Sequence, residues 1–236
     1  MFIFYLPDAI LISAAVIPAI FLLLRVYRLD RMEPEPPALL GRLVLMGVVA
    51  TSIAKVLEYA GSGLLNGLFH EETLLYDVLM YFGVVAFSEE GAKYILLKRQ
   101  TWRSPDFNCR FDGVVYAVFV SLGFALWENI GYVMMYGLGT ALLRAVTAVP
   151  GHACFGVFMG CWYAQAKANE RIGQADASRG LRVGAVVVPA LLHGLYDFLA
   201  VATYGGPAWV FLAFVAALFA LTFRTVKRFA REDQYI

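Results

Sequence analysis

In the stretch VVAFSEEGAKYILLK, residues 84 to 98, Glu89, Glu90 and Lys93 fall within about one helical turn of a segment that otherwise reads as membrane. An ionisable group near a bilayer centre costs on the order of 2.5–3.5 kcal/mol on insertion scales, so such a run is paired, wetted or used. On a helix Lys93 can reach either carboxylate, Glu89 at i−4 or Glu90 at i−3. Adjacent carboxylates diverge by roughly 100°, so one can face a cavity while the other binds Lys93 or a neighbouring helix. That division suits a general base with a supporting partner.

Three further stretches carry polar groups. GFALWENIGY places Phe124 one turn before Glu128, with Asn129 beside it. VPGHACFGVFMG carries His152, then Gly156 and Gly160 on the same stripe, a close-packing face of the small-xxx-small kind. PALLHGLYDF sets His193 and Asp197 at i and i+4 on one face. Pro150 and Pro189 precede the two histidines, and each removes a backbone hydrogen bond and can bend its helix. Counted at about 1.5 Å per residue from the basic ends, Glu89 lies roughly 12 Å deep, His193 about 16 Å, and Glu128, His152 and Asp197 about 20 to 23 Å. Four helices thus bring polar groups to one layer, a constellation able to activate water for hydrolysis or to hold a metal.

The elements that must position these groups follow from composition. Hydrophobic residues make up 61% of the chain, charged residues only 16%, and the mean hydropathy is +0.68, which marks a polytopic membrane protein. Apolar blocks at approximately 3–24, 39–60, 74–97, 112–136, 140–166, 182–203 and 207–224 predict an all-α fold of about seven transmembrane helices. With short connections and no 20-to-50-residue repeat, residues 1–236 form one domain, its catalytic core at approximately 74–203. Basic residues follow the first, third, fifth and seventh blocks: Arg25, Arg28, Arg31 and Arg42; Lys98, Arg99, Arg103 and Arg110; Lys167, Arg171, Arg179 and Arg182; Arg224, Lys227, Arg228 and Arg231. The other connections carry none, which predicts an N-terminus outside and a C-terminus in the cytoplasm. MFIFYLPDAI lacks a basic n-region, so the first helix is expected to stay as an anchor, and the proline-rich RMEPEPP makes a cytoplasmic linker. Cys109, Cys154 and Cys161 lack metal-type spacing, and a net charge of +1 gives no reason to expect a nucleic-acid partner.

EEGAK at 89–93, FALWE at 124–128, the histidine of PGHACFG at 152 and HGLYD at 193–197 resemble the four motifs of the PrsW family of intramembrane proteases. That family lies within the wider group that includes the CAAX prenyl endopeptidases and the scaffold subunit of gamma-secretase. The resemblance spans the third to sixth helices, and each motif alone is weak. It implies hydrolysis of a peptide bond in a single-span membrane protein, in the best-known branch an anti-sigma factor, by a multi-pass protein of the bacterial cytoplasmic membrane. Residue by residue, it implies that Glu89 and Glu90 activate the attacking water. Glu128 stands where the CAAX endopeptidases have a histidine, and Asp197 where they often have an asparagine. The added carboxylates make a divalent metal such as zinc credible, with Glu128, His152, His193 and Asp197 as its ligands. Without it, the group works as a glutamate-type protease.

Blander readings stand beside these. Glu89, Glu90 and Lys93 could be a structural ion-pair cluster, His152 and His193 hydrogen-bonded core residues, and Asp197 an orienting partner of His193. Lys55 and Glu58 pair within the second helix. Arg144 is expected to snorkel from the outer end of the fifth. His70, Glu71 and Glu72 lack the second histidine of a zincin motif and read as solvated surface. Tyr5, Trp102 and Trp209 are placed as interfacial anchors. Two other classes of function compete: a non-catalytic scaffold or binding subunit of the same superfamily, and a transporter or proton relay, against which stands the lack of inverted half-repeats.

Overall fold

In the computed structural model, which describes residues 6–30, 32–71, 73–201 and 206–236 with side chains from residue 9 onward, the chain is helical nearly throughout. The elements are α1 (Leu6–Tyr27), α2 (Pro37–Leu68), α3 (Leu74–Val78), a π-helical segment (Leu79–Ala86), α4 (Phe87–Thr101), α5 (Arg110–Tyr136), α6 (Leu138–Val146), α7 (Ala148–Arg171), α8 (Ala175–Val201) and α9 (Ala208–Arg231). Tyr5, Arg31, Glu72 and the expected end of the sixth helix at 203 lie outside the described residues.

Six helical spans are long and apolar enough to cross a membrane, with α6 and α7 together forming one of them. The remaining expected crossing, 74–97, is the run α3–π–α4, continuous to Thr101. Its π segment and its Glu89, Glu90 and Lys93 set it apart from the apolar spans. The protein is therefore an all-α polytopic membrane protein. Its outer surface agrees with that, for Ile17 and Phe21 of α1, Val56 of α2, Leu142 of α6 and Leu212 of α9 are all exposed, a surface that lipid tails cover.

The core is α5. Every residue from Phe111 to Ala125 is buried, and the helix packs against α1, α2 and α7. Small residues allow this, because helices in lipid gain stability by close van der Waals approach. A Cβ on Gly160 would lie 2.5 Å from the Gly113 carbonyl oxygen, and one on Gly156 would lie 2.8 Å from Ser121 Oγ. The glycine stripe of α7 thus seats the His152 helix on α5. On the other side of α5, a Cβ on Gly123 would meet the Val44 carbonyl oxygen at 2.2 Å.

Two local features depart from the expected helices. The fifth crossing is broken at Thr147, whose φ of −120° and ψ of −72° separate α6 from α7. Pro150 falls in the first turn of α7, where the missing N–H would have no intrahelical partner, so it starts a helix instead of bending one. Trp102 is buried and not an interfacial anchor: its indole donates to Glu170 and its ring lies 5.1 Å from that of Tyr163. Trp209, at the start of α9, is 69% exposed, as an anchor would be.

Gly123→Ala is expected to lower stability by about 1–3 kcal/mol, the usual range for overpacking. Gly131→Ala, on the same helix with nothing within 4 Å of its added Cβ, should leave it within about 0.5 kcal/mol. Thermal unfolding of both variants in micelles checks the contrast.

Candidate active site

Lys93 is completely buried, with its ammonium held on three sides. It donates to Glu90 Oε1 at 2.7 Å, to Glu89 Oε2 at 3.4 Å and to His152 Nδ1 at 3.1 Å, and it lies 4.0 Å from the centre of the Phe124 ring. Lys93 therefore binds both carboxylates of its own helix, where the sequence suggested a choice between them. An ammonium has no lone pair, so His152 Nδ1 must accept, and the ring proton sits on Nε2. His152 Nε2 lies 3.0 Å from Glu128 Oε2 and donates to it.

Glu128 is held in turn by Arg144, whose Nη2 donates to it at 2.8 Å while its Nε donates to Asn129 Oδ1 at 3.0 Å. Asn129 Nδ2 donates to the Ala15 carbonyl at 2.9 Å and ties the group to α1. The guanidinium also covers the Tyr132 ring at 3.9 Å. Arg144 was expected to snorkel outward. The break at Thr147 instead packs α6 against α5 and α1 and turns the side chain inward.

His193 Nδ1 lies 2.9 Å from Glu90 Oε1, and its Nε2 lies 3.4 Å from Asp197 Oδ2 and 3.8 Å from Glu89 Oε2. Phe155 stacks on the imidazole at 4.7 Å. Gly194, the next residue, is pressed against the π segment, where a Cβ would lie 2.6 Å from Phe82 Cδ1. The π segment and α8 thereby meet at the level of the site. Phe155 and Arg144 are the two contributors that sequence reasoning missed, although the polar Arg144 in an apolar block was the visible signal for one.

A cavity of about 620 Å³ opens on this cluster. Glu89, Glu128, His152, His193 and Asp197 line it; Glu90 and Lys93 do not, and stand behind. Its other walls include Tyr136, Thr140, Val201 and Phe211, residues at the helix ends opposite the basic termini. All six candidate site residues, Glu89, Glu90, Glu128, His152, His193 and Asp197, thus meet in one place, with Lys93 and Phe124 in contact with them and Asn129 linked to them through Arg144.

Glu89, Glu90, His152 and His193 each offer a donor atom within 4.8 Å of the other three. This tightest set shares only its histidines with the expected ligand set of Glu128, His152, His193 and Asp197, because Arg144 and His152 already engage Glu128 and Asp197 stands beside His193. Two imidazoles and two carboxylates suit a divalent ion such as zinc. Glu90 Oε2 is buried and accepts no hydrogen bond, leaving an oxygen for such an ion. With the cavity-lining pair Lys55–Glu58 balancing itself, the four carboxylates Glu89, Glu90, Glu128 and Asp197 face two cations, Lys93 and Arg144, an excess that protons or a dication would balance.

A family model described as PrsW family intramembrane metalloprotease matches residues 35–222. The chain belongs to this family. Proteins named Protease PrsW are similar to it over most of their length. The Bacillus subtilis protein is 32% identical over 221 residues, covering 92% of this chain and 94% of the relative. The Geobacillus kaustophilus protein is 32% identical over 218 residues, covering 92% and 91%. The Oceanobacillus iheyensis protein is 31% identical over 189 residues, covering 80% and 82%. No solved structure matches the chain. The chain is thus a multi-pass membrane protease of the PrsW family.

Lys93→Met leaves two buried carboxylates without their common cation. It is expected to destabilise the chain by about 3–5 kcal/mol, as removal of one partner of a buried pair does. Arg228→Met, which breaks an i,i+4 pair with Glu232 at 3.0 Å, exposed on both sides at the basic end of α9, should cost at most about 1 kcal/mol. The two unfolding midpoints, measured side by side in micelles, check this.

Proposed function

We propose that the chain hydrolyses a peptide bond of a single-span membrane protein inside the bilayer, with Glu89 as the base that activates water. The observation that carries this reading is the division of the acidic pair: Glu89 faces the cavity beside His152, His193 and Asp197, while Glu90 stands behind, held by Lys93 and His193. Peptide hydrolysis forms a C–O bond, breaks a C–N bond and moves one proton from water to the leaving nitrogen. Glu89 is placed to take that proton and, from the same cavity, to return it to the nitrogen.

The other residues position this exchange. Lys93 and Glu128 fix the tautomer of His152, so its Nε2–H points toward the cavity-lining carboxylate. Glu90 and Asp197 bracket His193, and Phe155 holds the ring plane. His193 is thereby the imidazole placed to polarise the scissile carbonyl, since the Nε2–H of His152 is engaged by Glu128. The family's description as metalloproteases and the Glu/His set support a metal-assisted form of the reaction, in which Glu90, His152 and His193 would hold the ion, His152 through the Nδ1 lone pair that Lys93 otherwise takes, and Glu89 would stay free as the base. A bound divalent metal supplies a Lewis acid for the carbonyl and lowers the pKa of its water to about 7. An anti-sigma factor is the substrate suggested by the family's best-known branch. The bilayer is the second partner, because a substrate segment reaches this cavity only within it.

The test compares new protein N-termini in membranes of cells making the wild-type chain, Glu89→Gln or Glu90→Gln at equal folded levels. Termini in or beside a transmembrane segment should appear with wild type and fall by about 10²–10⁴-fold with Glu89→Gln, the range for loss of a general base. Matching profiles for all three chains would sink the protease reading and favour a scaffold, whose binding partner would then co-purify.

A further inference from the structure

A second acidic group lies far from the cavity, on the basic side of the bundle. Asp30, from the linker after α1, Glu35, just before α2, and Asp112, in the first turn of α5, each offer a carboxylate oxygen within 4.8 Å of the other two. All three are buried, at 6%, 3% and 1% exposure. Buried carboxylates are normally paired with a cation or fully hydrogen-bonded. Among the described residues no lysine or arginine forms an ion pair with any of these three.

Each of the three carboxylates keeps at least one oxygen without a hydrogen-bond partner. Asp112 uses Oδ2 to cap α5, accepting from the amides of Asn108 at 2.9 Å and Cys109 at 2.6 Å, and its Oδ1 is left over. Both oxygens of Asp30 and Oε2 of Glu35 likewise make no well-formed hydrogen bond. A fourth group is independent of the acids: the Tyr116 hydroxyl, one turn along α5 and fully buried, is directed at Glu35 and makes no well-formed hydrogen bond of its own. Neighbouring acids are occupied elsewhere. Glu33 accepts from Asn108, Asp106 from Ser104, and Asp233 from the amides of Phe111 and Gln234. The crowding carries a penalty: burial, reinforced by nearby carboxylates, pushes Asp30 up to about 6 and Glu35 up to about 8.

We infer that Asp30, Glu35 and Asp112 form a second, structural cation site that takes a hard divalent ion, magnesium, manganese or calcium. The donor set is all oxygen, with one carboxylate able to bind through both atoms, which suits these ions and contrasts with the imidazole-containing set of the cavity. A divalent ion there would offset two of the three carboxylate charges. It would also clamp the α1–α2 linker to the start of α5, where the C-terminal tail is already fastened by Arg110 N–H to the Gln234 carbonyl at 3.0 Å and Ile236 N–H to the Asn108 carbonyl at 2.7 Å.

The test uses the full chain in micelles, stripped of metal, in a His152→Ala/His193→Ala background that removes the imidazole donors of the cavity. Manganese titrated into this protein and followed by electron paramagnetic resonance should bind at one ion per chain and be displaced by calcium or magnesium. Adding Asp30→Asn and Glu35→Gln should weaken that binding at least tenfold and abolish the metal-dependent rise in melting temperature. Should the double substitution fail to fold, the isosteric Asp30→Asn alone is expected to weaken binding at least tenfold. No bound manganese in the histidine-free background, or binding unchanged by the acid substitutions, would overturn the site. A neutralised variant that melts above the parent at every metal concentration would overturn it too, since it would show a cluster that shares protons.

Discussion

The buried ammonium of Lys93 is the interaction on which the site depends. Among the described residues it is the one lysine or arginine in reach of both Glu89 and Glu90, and it also sets the tautomer of His152. Adjacent carboxylates inside an apolar bundle repel one another and lose their hydration, and a completely buried lysine is unfavourable alone. Together they form a compact unit whose parts are unfavourable singly. Because the lysine lies on the same helix as both acids, at i+4 and i+3, the unit needs no tertiary contact to assemble. Its orientation toward α7 and α8 is what the rest of the fold supplies.

That orientation comes from close helix packing. Gly156 and Gly160 bring α7 onto α5, so His152 reaches Lys93 and Glu128 together. Gly194 lets α8 approach the π segment, so His193 reaches Glu90. Here van der Waals contact between helices, the main source of association in lipid, also sets the distances between polar groups. A chain of partners then runs outward from the cluster: His152 to Glu128, Glu128 to Arg144, Arg144 to Asn129, and Asn129 to the backbone of α1. The least buried crossing of the bundle is thereby tied to the site at its centre.

The polar residues and the helices that carry them were legible in the sequence because the membrane makes both conspicuous. Long apolar blocks mark the spans, and a charge inside one has few neutral explanations. Which way each charge points was not legible. Glu89 and Glu90 are interchangeable on a helical wheel, and only the placement of the cavity against α4 separates them. Arg144 sits where a snorkelling residue would sit, and its inward turn depends on a helix break at Thr147 that no proline marks; the nearby Pro150 starts α7. Trp102 carries the composition of an interfacial anchor, but its burial arises from packing with Tyr163 and Glu170, residues more than sixty positions away.

The same limit explains why the acidic group at Asp30, Glu35 and Asp112 does not stand out in the sequence. Acids in a proline-rich linker read as solvated, and an aspartate at the third position of a helix reads as a capping residue, which Asp112 also is. What distinguishes them is burial by the tail and by α5, together with the oxygen each keeps free after its local role is filled. The two clusters therefore pose one physical problem, at the centre of the bundle and at its basic end, carboxylates removed from water, and meet it differently. Near the cavity a lysine, an arginine and two histidines are built in, with one face left open for a reacting group. At the basic end the described residues supply only oxygen atoms, and the proposed cation is what would offset their charge. A cation meets that need with the fewest moving parts, since it would join the α1–α2 linker to the start of α5 through three side chains that no hydrogen bond among them connects.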